Sequence, residues 1–224
     1  MPQRTLALLH TSPVLTPLFT SLCAQWLPEV RIFHTVDESL IKNTIRAGRL
    51  EKPTVRRLAA LIGSALDAGA DAVLVTCSSI GPGVEVARQL YDPPVLRVDD
   101  PMARDAVLRG RRIGVLATLR TTLEPTSALV RSKALEASRP VEILECLCEG
   151  AFEAVLSGDT ATHDRLVSEA LTERMRDVDV IVLAQASMAR VVAALPPGAL
   201  KVPVLSSPEP GVRQVREVFA ARTD

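Results

Sequence analysis

Aromatic residues make up only 3% of these 224 residues, with one Trp, one Tyr and four Phe. No net charge is left over either, because 26 basic residues balance 26 acidic ones. A neutral chain has no long-range field with which to hold a polyanion, so nucleic acid is excluded as the expected partner. Long apolar runs are missing too: mean hydropathy is +0.21, yet the unbroken stretches are as short as Val180 to Ala184. A spanning helix needs about twenty apolar residues, and no membrane partner is expected. The apolar stretch Leu6 to Leu9 is too short for the core of a signal peptide, which makes the cytoplasm the expected compartment. Cys23, Cys77, Cys146 and Cys148 have neither zinc-ribbon nor disulfide-framework spacing, and His10, His34 and His163 are scattered, so no metal site is expected. Cys146 and Cys148 alternate along a strand and share a face, where packing explains them. Gly81-Pro82-Gly83 fails the dinucleotide spacing at Val86, and there is no P-loop.

What is present is 47% apolar and 23% charged, the balance of a folded globular chain. Short β-branched runs alternate with longer amphipathic stretches. Strands are predicted at Thr5–Leu9, Arg31–Thr35, Ala72–Thr76, Val95–Val98, Arg112–Ala117, Val141–Cys146, Val180–Ala184 and Val202–Leu205. Thr16-Pro17, Asp100-Pro101 and Glu209-Pro210 place proline where a first helical turn tolerates it. Thr54 is the expected cap of a helix running to Ala68, with Leu58, Leu61, Ile62, Ala65 and Leu66 as its apolar stripe. Alternation of this kind predicts an α/β fold with parallel sheets and right-handed crossovers.

The chain also repeats itself. Thr11 matches Thr118, Glu38 matches Glu149, Asp71 matches Asp179 and Pro94 matches Pro203, each inside a similar segment and at spacings of 107 to 111 residues. Parallel apolar strands resemble one another by chance, but four segments in one order at nearly one spacing indicate duplication. Two pseudo-symmetric, doubly wound, flavodoxin-like halves are expected, residues 1–99 and 100–207, with the C-terminal helix 208–222 crossing back onto the first. Ligands of open parallel sheets sit beyond the carboxyl ends of the strands. Facing halves would bring those ends into one cleft, where a pocket is expected.

The strand ends carry His10-Thr11-Ser12, Thr35 to Glu38, Thr76 to Ser79, Ala117-Thr118, Cys146 to Glu149 and Gln185-Ala186-Ser187. Thr76-Cys77-Ser78-Ser79-Ile80-Gly81-Pro82 is the strongest chemical signal. A thiol at a helix start faces free N–H groups that favour the thiolate, and Ser78 and Ser79 with those N–H groups suit a carboxylate or oxyanion. A small buried cysteine ending a strand reads the same way. Gln185 occupies the matching place in the second half; it hydrogen-bonds but is neither acid nor base at neutral pH. His10, His34, Asp37, Glu38 and Glu149 are further proton carriers at strand ends, each equally readable as a turn or surface residue. Asp37-Glu38-Ser39 with Lys42-Asn43 reads either as a loop over a ligand or as an exposed helix.

Duplicated halves, Val-Thr-Cys-Ser-Ser after the third strand (Val75 to Ser79) and Ile-Gly-Val-Leu-Ala-Thr opening the second half (Ile113 to Thr118) resemble the aspartate/glutamate/hydantoin racemase superfamily. The resemblance covers nearly the whole chain and implies a homodimer without cofactor. It further implies a small carboxylate substrate and one catalytic cysteine per half, acting on opposite faces of the substrate Cα. Carried over, Cys77 is the first cysteine, Ser78 and Ser79 bind the carboxylate, and Thr11 and Thr118 are the strand-end hydroxyls. Ser12, Ala186 and Ser187 complete the expected binding set. The second cysteine position holds Gln185, so two-thiol racemisation is not expected. Arylmalonate decarboxylases and maleate isomerases of the superfamily work with one cysteine, and they set the alternatives: a one-sided decarboxylase, a cis-trans isomerase, or a carboxylate-binding protein without turnover. A hydrolase or lyase built on His10 or His34 is a weaker alternative.

Overall fold

In the computed structural model, residues 3–222 are described. The chain divides into two compact units, one running up to Asp100 and resuming at Pro208, the other spanning Pro101–Ser207. The first holds β1 (Thr5–His10), α1 (Thr16–Trp26), β2 (Arg31–Val36), α2 (Glu38–Ala47), α3 (Lys52–Asp67), β3 (Ala72–Val75), α4 (Gly81–Ala87) and β4 (Val95–Arg97). The second holds α5 (Asp100–Arg109, begun at the boundary), β5 (Arg112–Ala117), α6 (Arg120–Glu136), β6 (Glu142–Leu147), α7 (Ala151–Leu156), α8 (Thr160–Glu169), β7 (Val180–Leu183), α9 (Ala189–Ala194) and β8 (Val204–Leu205). The last helix, α10 (Pro208–Ala221), belongs to the first unit.

Each unit is a four-stranded sheet, ordered β2-β1-β3-β4 and β6-β5-β7-β8. Every pairing is parallel, with Leu6 opposite Ala72 in one sheet and Ile113 opposite Val180 in the other. These are two α/β sheets of one topology. The inner strands are buried, β5 after its exposed first residue Arg112 and the others along their whole length, because helices cover both faces, and for that reason they read as nearly unbroken apolar runs. Successive side chains go to opposite layers. Leu6, Leu8, Ala72 and Leu74 meet Phe19 of α1 and Val212, Val215 and Phe219 of α10. Ala7, Leu9, Val73 and Val75 meet Leu58 and Ile62 of α3 and Val84 of α4. In the second unit Ile113, Val115 and Val182 pack with Met102 and Val130. Ile181 and Leu183 pack with Val167 and Leu171.

The duplication extends to polar detail. Asp71, just before β3, accepts the Thr5 N–H at 2.7 Å. Its counterpart Asp179, before β7, accepts the N–H groups of Arg111 and Arg112 at 2.7 and 2.8 Å. Those N–H groups hold the Asp179 carboxyl below the usual range. Gly110 lies so close that a Cβ there would stand 2.3 Å from the Asp179 Cβ.

Some boundaries differ from expectation. Helix α3 begins at Lys52 with Glu51 at its N-cap, and Thr54 is buried within the helix; Pro53 at the first turn is the operative start signal. Strand β8 shrinks to two residues at a sheet edge, where only β7 supplies a ladder. Residues 38–47 form helix α2, capped by Asp37. Trp26 ends α1 against the sheet, with the Arg213 guanidinium 4.7 Å above its ring.

Candidate active site

In both sheets the chain leaves the two central strands in opposite directions, toward different helical layers. The carboxyl ends of β1 and β3, and of β5 and β7, are therefore the switch points where such sheets bind ligands.

At the first switch point Cys77 follows β3 and caps the short turn Ser78–Ile80 that runs into α4. Burial pushes its thiol above the usual range. Hydrogen bonds from the Thr11 hydroxyl, the Ser79 and Ile80 N–H groups and the Ser79 hydroxyl oppose that push without overcoming it. Thr11, Ser78 and Ser79 are buried, and Ser12 is half-buried one residue further along. The site thus offers a resting thiol inside a ring of donors able to stabilise the thiolate once it forms.

The turn is held from behind. Arg97, at the end of β4, is buried and forms a two-pronged pair with buried Asp99, at 2.9 Å for each contact. A Cβ on Gly81 would stand 2.5 Å from the Arg97 guanidinium, so a side chain there would have to displace that guanidinium from the start of α4. Helix α10 completes the wall, with Gln214 Nε2 donating to the Arg97 carbonyl at 2.7 Å. An arginine in the otherwise apolar run Val95–Val98, followed by Asp99 and Asp100, was the available sequence signal for this buttress.

His10 faces the opposite layer from Cys77 and is completely buried. Its Nδ1 lies 2.8 Å from the Thr76 hydroxyl and its Nε2 2.9 Å from His34 Nδ1; His34 Nε2 in turn lies 3.0 Å from Thr20. The Thr76 hydroxyl donates to the Leu9 carbonyl, so His10 donates to Thr76 through Nδ1 and accepts from His34 through Nε2. Burial, reinforced by the neighbouring His34, lowers His10 to about 4 and keeps it neutral. Burial lowers His34 as well. The pair ties β1, β2 and β3 together beneath the strand ends. Asp37 is occupied by the Ser39 N–H at 2.9 Å and by Arg57. Partial burial raises its carboxyl, but those bonds outweigh it and leave the group below the usual range. Glu38 is exposed and paired with Lys42 at 3.2 Å.

The second switch point is built differently. Gln185 caps the turn Ala186–Met188 and directs its amide at Thr118. Its Oε1 accepts the Thr118 N–H at 2.7 Å, and its Nε2 donates to the Thr118 hydroxyl at 2.8 Å. Buried Thr118, the counterpart of Thr11, is thereby engaged at both polar groups. Ala186 is half-buried and Ser187 exposed. The first turn of α6 adds a residue missed from the sequence: the buried Thr121 hydroxyl has no partner among the described residues. Among those residues no three His, Cys, Asp or Glu side chains form a metal-binding group, and no helix is long and apolar enough to cross a membrane.

A family model for Asp/Glu/hydantoin racemase matches residues 9–215. The chain belongs to that family. Solved structures agree on the fold. A glutamate racemase of Bacillus anthracis matches with TM-score 0.74 at 18% identity, covering 100% of this chain and 84% of its own. The aspartate racemase of Picrophilus torridus matches at 0.72 and 14% identity, over 97% and 94% of the two chains. The allantoin racemase of Klebsiella pneumoniae matches at 0.66 and 18% identity, over 97% and 88%. No curated protein matches the sequence.

Proposed function

We propose that this member of the racemase family is a cofactor-independent enzyme acting on a small carboxylate, in which Cys77 transfers a proton to or from one face of the substrate. The observation that carries the reading is the contrast between the two switch points: a thiol ringed by donors at one, and a carboxamide spent on Thr118 at the other. A thiol whose pKa is raised rests protonated at neutral pH, which suits delivery of a proton to the α-carbon of an enolate-like intermediate. Running in reverse, the thiolate formed at Cys77 is stabilised by Thr11, Ser79 and the Ile80 N–H while the α-carbon loses its proton. Ser78, Ser79 and Thr11, with the turn N–H groups, are the groups that would hold the carboxylate and the charge developing on it.

An amide neither gives nor takes a proton in this range, so Gln185 fixes Thr118 and the second unit carries no thiol at the position that matches Cys77. That observation favours one-sided chemistry, exchange or decarboxylation, over inversion.

Proton NMR in D₂O tests the reading, with both enantiomers of aspartate and glutamate, allantoin, a hydantoin, maleate and substituted malonates. Loss of an α-proton signal without inversion, or a single deuterium placed on decarboxylation, supports one-sided transfer; either signal should vanish with Cys77→Ala. Exchange with inversion would overturn the role given to Gln185. Turnover that survives Cys77→Ala would remove Cys77 from the chemistry, and ligand binding with no turnover by the intact protein would favour a carboxylate-binding protein.

A further inference from the structure

Stability alone does not account for the charged pair behind the Cys77 turn. Arg97 lies directly opposite Val75 in the parallel ladder of β3 and β4, one pleat beyond Val73 and Val95. Val73, Val75 and Val95 send their side chains into the layer of α3 and α4, where Cys77 packs too. That layer calls for an apolar residue at position 97. Instead the arginine and its partner Asp99 are only 4% and 0% exposed. Taking two charges out of water offsets much of their attraction, and apolar residues of similar volume commonly replace such a pair with no loss of stability.

The surroundings of the pair supply the missing reason. Cys77 caps the turn Ser78–Ile80, the position from which a side chain meets the N–H groups of the second and third residues of a turn, here Ser79 and Ile80. Gly81 closes that turn with its N–H on the Ser78 carbonyl and opens α4. The Arg97 guanidinium lies against Gly81: a Cβ there would stand 2.5 Å from Cζ and Nη2 and 2.7 Å from Nε. The guanidinium is itself fixed. Asp99 accepts from Nε and Nη2 at 2.9 Å each, Glu85 Oε1 lies 3.6 Å from Nη1, and Gln214 donates to the backbone carbonyl of Arg97. Glu85 and Asp100 also accept from Arg88, at 2.8 and 2.7 Å, which ties α4 to the same strand end.

We infer that Arg97, locked by Asp99, is a positioning residue for Cys77: it bears on Gly81 and so fixes the turn whose N–H groups meet the thiol. Those N–H groups favour the thiolate only while they point at the sulfur, because a hydrogen bond weakens steeply as it bends. Arginine and aspartate cancel in charge, so the pair acts through placement rather than through a net field. Its importance for turnover rests on the role proposed for Cys77; its effect on the thiol does not.

The test reads Cys77 directly, in the full chain. Cys77 is half-buried and the other three cysteines are buried, so brief treatment with iodoacetamide reports on it, followed in the tryptic peptide of residues 58–88. Replacing the pair by apolar residues, Arg97→Met with Asp99→Leu, should leave the melting temperature near that of the parent. It should slow alkylation at pH 8 about fivefold and move the midpoint of the rate against pH upward. Gly81→Ala, at a φ of −51° that any residue adopts, should push the guanidinium aside and slow alkylation in the same way. Added to the apolar pair it should have no further effect, because the group it displaces is gone. Arg97→Lys keeps the charge but not the fork that grips Asp99, and should stay slow. The inference falls if the apolar pair leaves the pH profile of Cys77 in place. It falls equally if Gly81→Ala slows alkylation as much beside the apolar pair as in the parent, or if Arg97→Lys matches the parent. Should the apolar pair fail to fold, Gly81→Ala and Arg97→Lys decide by their own pH profiles. Turnover that survives Cys77→Ala would overturn the proposed function and leave these rates unchanged.

Discussion

The two sheets have one strand order, and both carry a threonine at the end of the first strand and a polar residue capping the turn after the third. In the first unit the threonine meets a thiol; in the second it meets a carboxamide. Thr118 uses both its N–H and its hydroxyl on Gln185, whereas Thr11 lends its hydroxyl to Cys77. One backbone therefore supports a donor-ringed thiol, proposed here as the proton-transfer site, and a structural clasp, depending on a single side chain. A thiol has one titratable atom and a labile proton. An amide has an acceptor and a donor set at fixed angles, which suits it to grip a backbone N–H and a hydroxyl together.

The largest effect that would sharpen this contrast is on turnover. Cys77→Ala should cut α-proton exchange by about 10³-fold, within the range of a lost acid–base group, while Gln185→Ala leaves the rate within roughly tenfold. Equal losses in the two variants, followed by NMR, would erase the distinction between site and clasp.

Next in size is a pH effect carried by His10 of the first unit. His10 is lowered to about 4 when folded, below its ordinary 6.5, so the unfolded chain binds more protons between those values. Stability should be full above about pH 6.5 and fall by up to about 3 kcal/mol as pH drops through 4. Urea unfolding at several pH values measures this, and His10→Gln should flatten the slope. An unchanged slope would show that the His10–His34 pair does not govern the loss.

Smaller still, Gln185→Leu should cost about 1–3 kcal/mol, because it strands the buried N–H and hydroxyl of Thr118. Replacing Cys77 by Ser should cost less, since its donor-lined niche still accepts a hydroxyl. Denaturant midpoints at constant slope decide between the two. The smallest effect concerns reactivity. Iodoacetamide should modify Cys77 slowly at pH 7 and faster as pH rises past the usual thiol range, and Thr11→Val should slow it further, by severalfold. Faster modification of Thr11→Val would contradict the donor role of that hydroxyl.

Much of this was legible without coordinates. Both sheets, the duplication, and Cys77 with Ser78 and Ser79 follow from local signals: strand-length apolar runs, proline at helix starts, and a constant spacing. What escaped was set by contacts between distant segments. The Thr118–Gln185 clasp joins residues 67 apart, Arg97 is explained only by Gly81 and Gln214 beside it, and His10 is neutral because His34 and Thr76 surround it. Asp37 titrates low through neighbouring Ser39 and also through Arg57, twenty residues on.

Residue order by itself determined the α/β class, the two halves and the position of the thiol, because periodicity and turn chemistry act over a few residues. Tertiary structure alone decided the protonation and partners of each strand-end group. Burial and hydrogen bonding are properties of the surroundings, and those are supplied by segments that the chain brings together only when it folds.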